Sequence, residues 1–107
     1  MSEYLDVTPA EACAALQDDP DLIVLDVRTQ QEFRQHRIAA AVLLPVQELP
    51  QRVGELDPDR RYVVTCEHGV RSRMACALLG QAGFRDLRNV VGGMARWLGD
   101  GLPVDRG

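Results

Sequence analysis

Short, continuous apolar runs alternate along this chain with segments of helical periodicity, and this alternation constrains the fold more than any other feature. An apolar run without polar alternation is typical of a strand that is buried on both faces, as in a parallel sheet. Strands that alternate with helices favour an α/β architecture with helices on both faces of the sheet. We therefore predict a mostly parallel central sheet of about five strands, at residues 4–7, 22–25, 42–44, 62–65 and 87–91.

Helix signals occupy the segments between these strands. Thr8 and Glu11 have the spacing of a capping box, and Thr29 and Glu32 repeat that spacing. Pro9 suits the first position of the first helix. The predicted helices cover residues 9–16, 29–35, 47–56 and 72–81, and a last one follows the two glycines at 92–93 and runs through residue 97.

Composition and charge limit the class of protein. A chain of 107 residues suits one domain, residues 1–107. The net charge of -4 argues against a nucleic acid or an anionic membrane surface as partner. The apolar runs are far shorter than a membrane span, and the first twelve residues lack the pattern of a signal peptide. We therefore expect a cytoplasmic protein that binds neither nucleic acid nor membranes.

The three cysteines, Cys13, Cys66 and Cys76, have no repeated spacing, so they form no disulfide framework and fit a reducing compartment. We expect Cys13 and Cys76 to serve packing. In the helix predicted at 72–81, Met74 lies on the apolar face and Cys76 lies off it. A partly exposed, oxidisable Cys76 is therefore expected.

Chemically active residues follow three of the predicted strands. Asp26 and Arg28 follow the strand at 22–25, Cys66 follows the strand at 62–65, and two glycines follow the strand at 87–91. The carboxyl ends of parallel strands lie at one edge of the sheet, where α/β proteins bind their ligands. The pattern therefore predicts a site that contains Cys66. Asp26 and Arg28 have either a structural role at this edge or a role in substrate binding.

The loop "CEHGVRS" joins a predicted strand to a predicted helix. Such a loop can aim several backbone N–H groups at an anion, and Gly69 permits the positive φ that this needs. Arg71 and Arg73 add positive charge that favours a cysteine thiolate, whereas Glu67 opposes it. We predict Cys66 as the nucleophile. The predicted substrate-binding loop comprises Cys66, Glu67, His68, Gly69, Val70, Arg71 and Ser72, with Asp26, Arg28 and Arg73 in support.

Four segments of the chain resemble single-domain members of the rhodanese, or sulfurtransferase, family. They are "VLDVRTQQEF", "ELPQRV", "YVVTCEHGVRSRMACALLGQAGF" and "NVVGGMARWLGDGLPV". The resemblance implies that Cys66 takes a sulfane sulfur from a donor such as thiosulfate and carries it as a persulfide. It implies that the loop cradles this persulfide and that the sulfur passes to cyanide, a thiol or a protein. Neither a metal nor an organic cofactor is implied.

The resemblance also implies roles for residues outside the loop. Asp26 and Arg28 match the Asp-x-Arg of the family, and Glu32 matches the acidic residue that pairs with this arginine. The chain departs from the family in "HRIAAA", residues 36–41, where glycine and proline usually build a turn. It also departs at Glu67, whose carboxylate we expect to disfavour a doubly charged donor such as thiosulfate. A protein persulfide is the alternative donor.

Three other functions compete with this interpretation. A cysteine-based phosphatase places its arginine six residues after the cysteine, where this chain has Ser72, and Arg71 comes one residue too early. A rhodanese-like module that only binds or regulates typically lacks the cysteine that this chain retains. A zinc site at Cys66 and His68 would need two more ligands, and no second pair has suitable spacing.

Overall fold

The computed structural model describes residues 4–107. The first three residues, part of the segment that lacks a signal-peptide pattern, lie outside the described residues. The strands are β1 (Leu5–Val7), β2 (Leu22–Asp26), β3 (His36–Arg37), β4 (Val42–Leu43), β5 (Arg61–Thr65), β6 (Asp86–Val90) and β7 (Asp105–Arg106). The helices are α1 (Pro9–Asp18), α2 (Gln30–Gln35), α3 (Leu49–Arg52), α4 (Val70–Gln81) and α5 (Gly93–Gly99), and a 3-10 turn at Val53–Glu55 extends α3.

Five strands form one parallel sheet in the order β1-β6-β5-β2-β4. The predicted α/β fold with a five-stranded, mostly parallel sheet is therefore confirmed. The central strand β5 pairs in register with β2, Val64 opposite Leu25, and with β6, Val63 opposite Arg88. Both capping boxes are formed, with the Thr8 side chain accepting from the Glu11 N–H and Thr29 from the Glu32 N–H.

The sheet is covered on both faces, which explains the continuous apolar runs. Val64 packs into a cluster with Leu79 of α4, whereas its neighbour Val63 packs into a second cluster with Trp97 of α5 and Ala12 of α1. Consecutive strand residues point to opposite faces of a sheet. The apolar residues of β5 therefore each enter one of two cores, and no polar alternation is needed.

Helix α4 differs from the prediction in its start and in its buried face. It begins at Val70, two residues earlier than expected, and its buried residues are Ser72, Ala75, Cys76 and Leu79. Met74 is 60% exposed and Cys76 is 0% exposed, so both expectations for these side chains were wrong. The apolar stripe is rotated by about one residue, because Cys76 faces the sheet at i+4 from Ser72 while Met74 points to solvent. The packing role expected for Cys76 is consistent with this burial.

Three smaller differences concern segments away from the centre. Strand β4 lies at the sheet edge, so Val42, predicted to be buried, is 45% exposed. The helix predicted at 47–56 is divided into α3 and the 3-10 turn. An unpredicted antiparallel ribbon pairs β3 with β7, and the alanine-rich turn that follows β3 places Ala40 at φ +63°.

Within residues 4–107, the structure contains no helix of the length and apolar character needed to span a membrane.

Candidate active site

Cys66 lies at the carboxyl end of β5, immediately before the loop that leads into α4. The residue is 1% exposed, and its sulfur accepts a hydrogen bond from the Gly69 N–H at 3.0 Å. Its thiol lies 3.3 Å from the Ser72 hydroxyl oxygen, to which it donates. The predicted juxtaposition of this cysteine with the loop is therefore present, with the sulfur folded back against the start of the helix.

Gly69 makes this turn possible. Its φ of +92° is unfavourable for any residue with a Cβ. A Cβ there would also lie 3.0 Å from the Gly92 nitrogen, where two loops of the site meet. Because Gly69 is the N-cap of α4 and has no side chain, the first N–H groups of the helix carry no side-chain cap. The helix start therefore presents free N–H groups and the positive end of its dipole beside the sulfur.

Arg28 is buried and links β2 to the second residue of the loop. Its guanidinium donates to both carboxylate oxygens of Asp26, at 2.8–3.1 Å, and to the His36 carbonyl at 2.7 Å. Its Nη1 lies 3.1 Å from Glu67 Oε1. Asp26 and Arg28 are both 0% exposed, so neither presents surface to a substrate. Of the two roles left open by the sequence, the structural one fits this geometry.

Burial disfavours the charged form of Arg28, but the hydrogen bonds and charges of Asp26 and Glu67 outweigh it and raise the pKa of Arg28. The ion pair also offsets the charge of Glu67. The expectation that Glu67 disfavours a doubly charged donor stays a prediction. The ion pair with Arg28 reduces the repulsion between the Glu67 carboxylate and such a donor. Glu67 acts here as a brace between the loop and the sheet.

Glu32 pairs with Arg71, and not with Arg28 as the family resemblance implies. The two side chains form a bidentate pair, with N–O distances of 2.8 and 2.9 Å. Hydrogen bonding from Arg71 lowers the pKa of Glu32 to about 2, and the same bonds raise the pKa of Arg71. This choice of partner has a geometric cause, because Arg28 is already surrounded by Asp26, His36 and Glu67. Arg71 thus faces the site with its charge partly neutralised.

The start of α5 is packed against the backbone of the active-site loop. The Met94 N–H donates to the Cys66 carbonyl at 2.8 Å, and the Ala95 N–H donates to the Glu67 carbonyl at 2.9 Å. Gly93 is the residue in contact, and a Cβ there would lie 2.4 Å from the Cys66 oxygen. The glycine pair recognised in the sequence therefore allows a helix to hold the loop at van der Waals distance.

Two residues that hydrogen bonds link to the site, Asn89 and Asp6, were not predicted from the sequence. Asn89, 1% exposed in β6, accepts from the Ser72 hydroxyl, and its amide nitrogen donates to Asp6 of β1 at 2.9 Å. Strand β6 also contains Asp86 and Arg88, so no local signal singled out Asn89 as a buried polar residue. Asp6 had no such signal either, because its link to the site depends on the pairing of β1 with β6.

The mouth of the site is polar on one side. A cavity of about 350 Å³ lies beside the loop, and Gly69, Asn89 and the exposed Arg73 and His68 are among its lining residues. Val70 points to solvent and is 56% exposed. A larger cavity of about 560 Å³ near Trp97 is lined by none of the predicted site residues. Within residues 4–107 no group of three or more histidine, cysteine or carboxylate side chains is arranged to hold a metal ion.

Comparisons with known proteins agree with this fold. The sequence model of the rhodanese-like domain matches residues 8–100. A protein of Allochromatium vinosum named sulfurtransferase is 39% identical over 89 residues, which cover 83% of each chain. The thiosulfate sulfurtransferase GlpE of Actinobacillus succinogenes is 30% identical over 102 residues, 95% of this chain and 91% of that protein. The crystal structure of a rhodanese-related protein from Thermoplasma volcanium superposes with a TM-score of 0.86 at 32% identity, covering 95% of this chain and 98% of that one.

This chain therefore belongs to the rhodanese-like domain family. Its curated relatives include proteins named sulfurtransferase and thiosulfate sulfurtransferase.

Proposed function

We propose that this protein is a rhodanese-type sulfurtransferase that carries sulfur as a persulfide on Cys66. The observation that supports this most is the position of the Cys66 sulfur, held by the Gly69 N–H at the start of α4. Amide donors and a helix N-terminus at this point stabilise negative charge on sulfur. A nucleophilic sulfur and a persulfide anion both need that stabilisation.

In the first half-reaction, the Cys66 thiolate attacks the outer sulfur of a donor such as thiosulfate. The new bond joins Sγ to this sulfur, the S–S bond of thiosulfate breaks, and sulfite leaves with the bonding electron pair. The product is a persulfide anion on Cys66, and the total charge is unchanged. The exposed Arg73 and the partly neutralised Arg71 favour an anionic donor over a neutral one.

In the second half-reaction, an acceptor nucleophile attacks the outer sulfur of the persulfide. Cyanide gives thiocyanate, and a thiolate gives a new persulfide. In each case the Sγ–S bond breaks and Cys66 leaves as a thiolate, which the Gly69 N–H again stabilises. The residues described need no bound metal or cofactor for either displacement. A thiol or a protein is the acceptor class that this chemistry fits.

Thiocyanate production from thiosulfate and cyanide tests the proposal. The wild-type protein should turn over, Cys66→Ser should be inactive, and Cys13→Ser should keep the wild-type rate as the matched thiol control. Cys13 suits this control because it lies on α1, away from the loop. The same assay with 3-mercaptopyruvate, and with a protein persulfide, ranks the donor classes. Equal rates for wild type and Cys66→Ser would contradict the assignment of the nucleophile.

A further inference from the structure

A chain of three hydrogen bonds leads from the Cys66 sulfur to the protein surface. The Cys66 thiol lies 3.3 Å from Ser72 Oγ, Ser72 Oγ lies 2.5 Å from Asn89 Oδ1, and Asn89 Nδ2 lies 2.9 Å from Asp6 Oδ1. Ser72 and Asn89 are buried, whereas Asp6 is exposed. The chain crosses from α4 to β6 and then to the edge strand β1.

The chemistry of these groups fixes the direction of every bond in the chain. A carboxylate only accepts, so the atom of Asn89 that faces Asp6 must be the amide nitrogen. The amide oxygen of Asn89 therefore faces Ser72 and also only accepts. Ser72 has a single hydroxyl proton, which must point to Asn89. The hydroxyl is thus left with a lone pair towards the Cys66 sulfur.

We propose that Asp6 and Asn89 are positioning residues that hold the Ser72 hydroxyl as a hydrogen-bond acceptor towards Cys66 and so favour the protonated thiol in the resting protein. A thiol can donate to this lone pair, whereas a thiolate has no proton to donate. This inference deepens the proposed function, because it concerns the ionisation of the same nucleophile. It predicts that the chain limits the fraction of thiolate present before a donor binds.

The hydrogen bond between Asn89 and Asp6 must break before the direction of the other bonds in the chain can reverse. For Ser72 to donate to a Cys66 thiolate, the Asn89 amide must turn its nitrogen towards Ser72, which places its oxygen against the Asp6 carboxylate. Two acceptors would then face each other, an arrangement that costs about as much as a lost hydrogen bond. The amide of Asn89 does not pass a proton along, so the chain orients the hydroxyl and does not conduct protons to solvent.

Other charges surround the sulfur and act on it independently of this chain. Arg71 and Arg73 lie in the first turn of α4, Glu67 and His68 in the loop, Glu32 on α2, Arg28 beyond the end of β2, and the buried Cys76 one turn along α4. All of them are retained in the variants below. Their contributions therefore cancel when the variants are compared with one another.

Titration of the Cys66 thiolate by its ultraviolet absorbance tests the proposal. Each variant is measured against its own Cys66→Ser counterpart, which removes the absorbance of Cys13, Cys76 and the tyrosines. Asp6→Ala and Asn89→Leu should each lower the midpoint of this titration by about one pH unit, because a freed Ser72 donates to the thiolate and such a bond changes the equilibrium about tenfold. An unchanged midpoint in Asp6→Ala would overturn the proposal.

Loss of the Asp6 charge would by itself shift the midpoint in the same direction, so the test needs a background without the oriented hydroxyl. In Ser72→Ala, the further change Asp6→Ala removes only the charge, so it should lower the midpoint by much less than it does in the wild type. If it lowers the midpoint there by as much as in the wild type, Asp6 acts only through its charge and the proposal fails. The Asn89→Leu background gives the same comparison should Ser72→Ala not fold. The titration uses no sulfur donor, so its outcome is separate from that of the thiocyanate assay.

Discussion

Replacement of Gly93 by alanine should disturb the packing that holds the active-site loop against α5. An alanine at this position would need φ +60° and would place its Cβ 2.4 Å from the Cys66 oxygen and 2.7 Å from Glu67 backbone atoms. Cβ atoms essentially never approach closer than 3.0 Å, so α5 and the loop must separate. The separation breaks or weakens the bonds from Met94 and Ala95 to the loop carbonyls, which are 2.8 and 2.9 Å long.

The magnitude follows from three contributions. The left-handed backbone costs an alanine about 1 kcal/mol, and each weakened backbone hydrogen bond costs about 1 kcal/mol. Gly93→Ala should therefore lower the free energy of unfolding by about 3 kcal/mol and reduce sulfurtransferase activity, because the loop that carries Cys66 moves. Urea unfolding and thiocyanate production measure the two effects.

Gly83 offers a matched control. It also has a positive φ, +97°, but a Cβ there would meet nothing within 4 Å. Gly83→Ala should therefore show only the backbone strain of about 1 kcal/mol and keep full activity. If Gly93→Ala is no more destabilising than Gly83→Ala, the close packing of α5 on the loop does not contribute to the free energy of unfolding.

Three further predictions concern the charges and thiols around the site. Glu67→Gln should lower the free energy of unfolding, measured in urea, by about 1–3 kcal/mol, because it leaves the buried Arg28 with one carboxylate partner. The exposed ion-pair control Glu55→Gln should show no change, and equal effects of the two variants would contradict the bracing role of Glu67. Glu32→Gln should lower the free energy of unfolding by about 1–2 kcal/mol at neutral pH. This is less than the lowered pKa of Glu32 alone implies, because the Glu32–Arg71 pair is partly exposed to solvent. The lowered pKa of Glu32 means that this difference should persist above pH 4.5 and vanish as the pH falls towards 2; a difference that is constant with pH in urea unfolding would refute the ion-pair account. Burial raises the pKa of the Cys76 thiol to about 12, so peptide mapping after iodoacetamide treatment of the native protein should find Cys76 unmodified and Cys13 modified; labelling of both at similar rates would contradict it.

Local sequence signals predicted the sheet and the position of the nucleophile. Both capping boxes and the four longer parallel strands depend on short-range patterns, namely Thr-x-x-Glu spacing and apolar runs, and the structure has them. Cys66 could be placed because the end of a buried strand is a fixed point in a parallel sheet. The phase of α4 could not be placed in the same way. Ala75 and Leu79 suit a buried face that includes either Met74 or Cys76, and contact with the sheet selects Cys76.

Sequence patterns did not predict the pairing of side chains that are distant along the chain. Glu32 has a capping role that its spacing from Thr29 reveals, but its choice of Arg71 over Arg28 depends on how tightly Asp26 and Glu67 already enclose Arg28. The connection of Asp6 to the site depends on β1 crossing to pair with β6, more than eighty positions away in the chain. Such contacts follow from strand order, and strand order is a property of the assembled sheet.

Intact-mass spectrometry of the protein after incubation with thiosulfate shows directly whether Cys66 carries sulfur. The wild-type protein should gain the mass of one sulfur atom, cyanide should remove it, and Cys66→Ser should gain nothing under the same conditions. A sulfur atom that is gained equally by Cys66→Ser, or a wild-type protein that gains none from thiosulfate, 3-mercaptopyruvate or a protein persulfide, would contradict the claim that Cys66 carries sulfur.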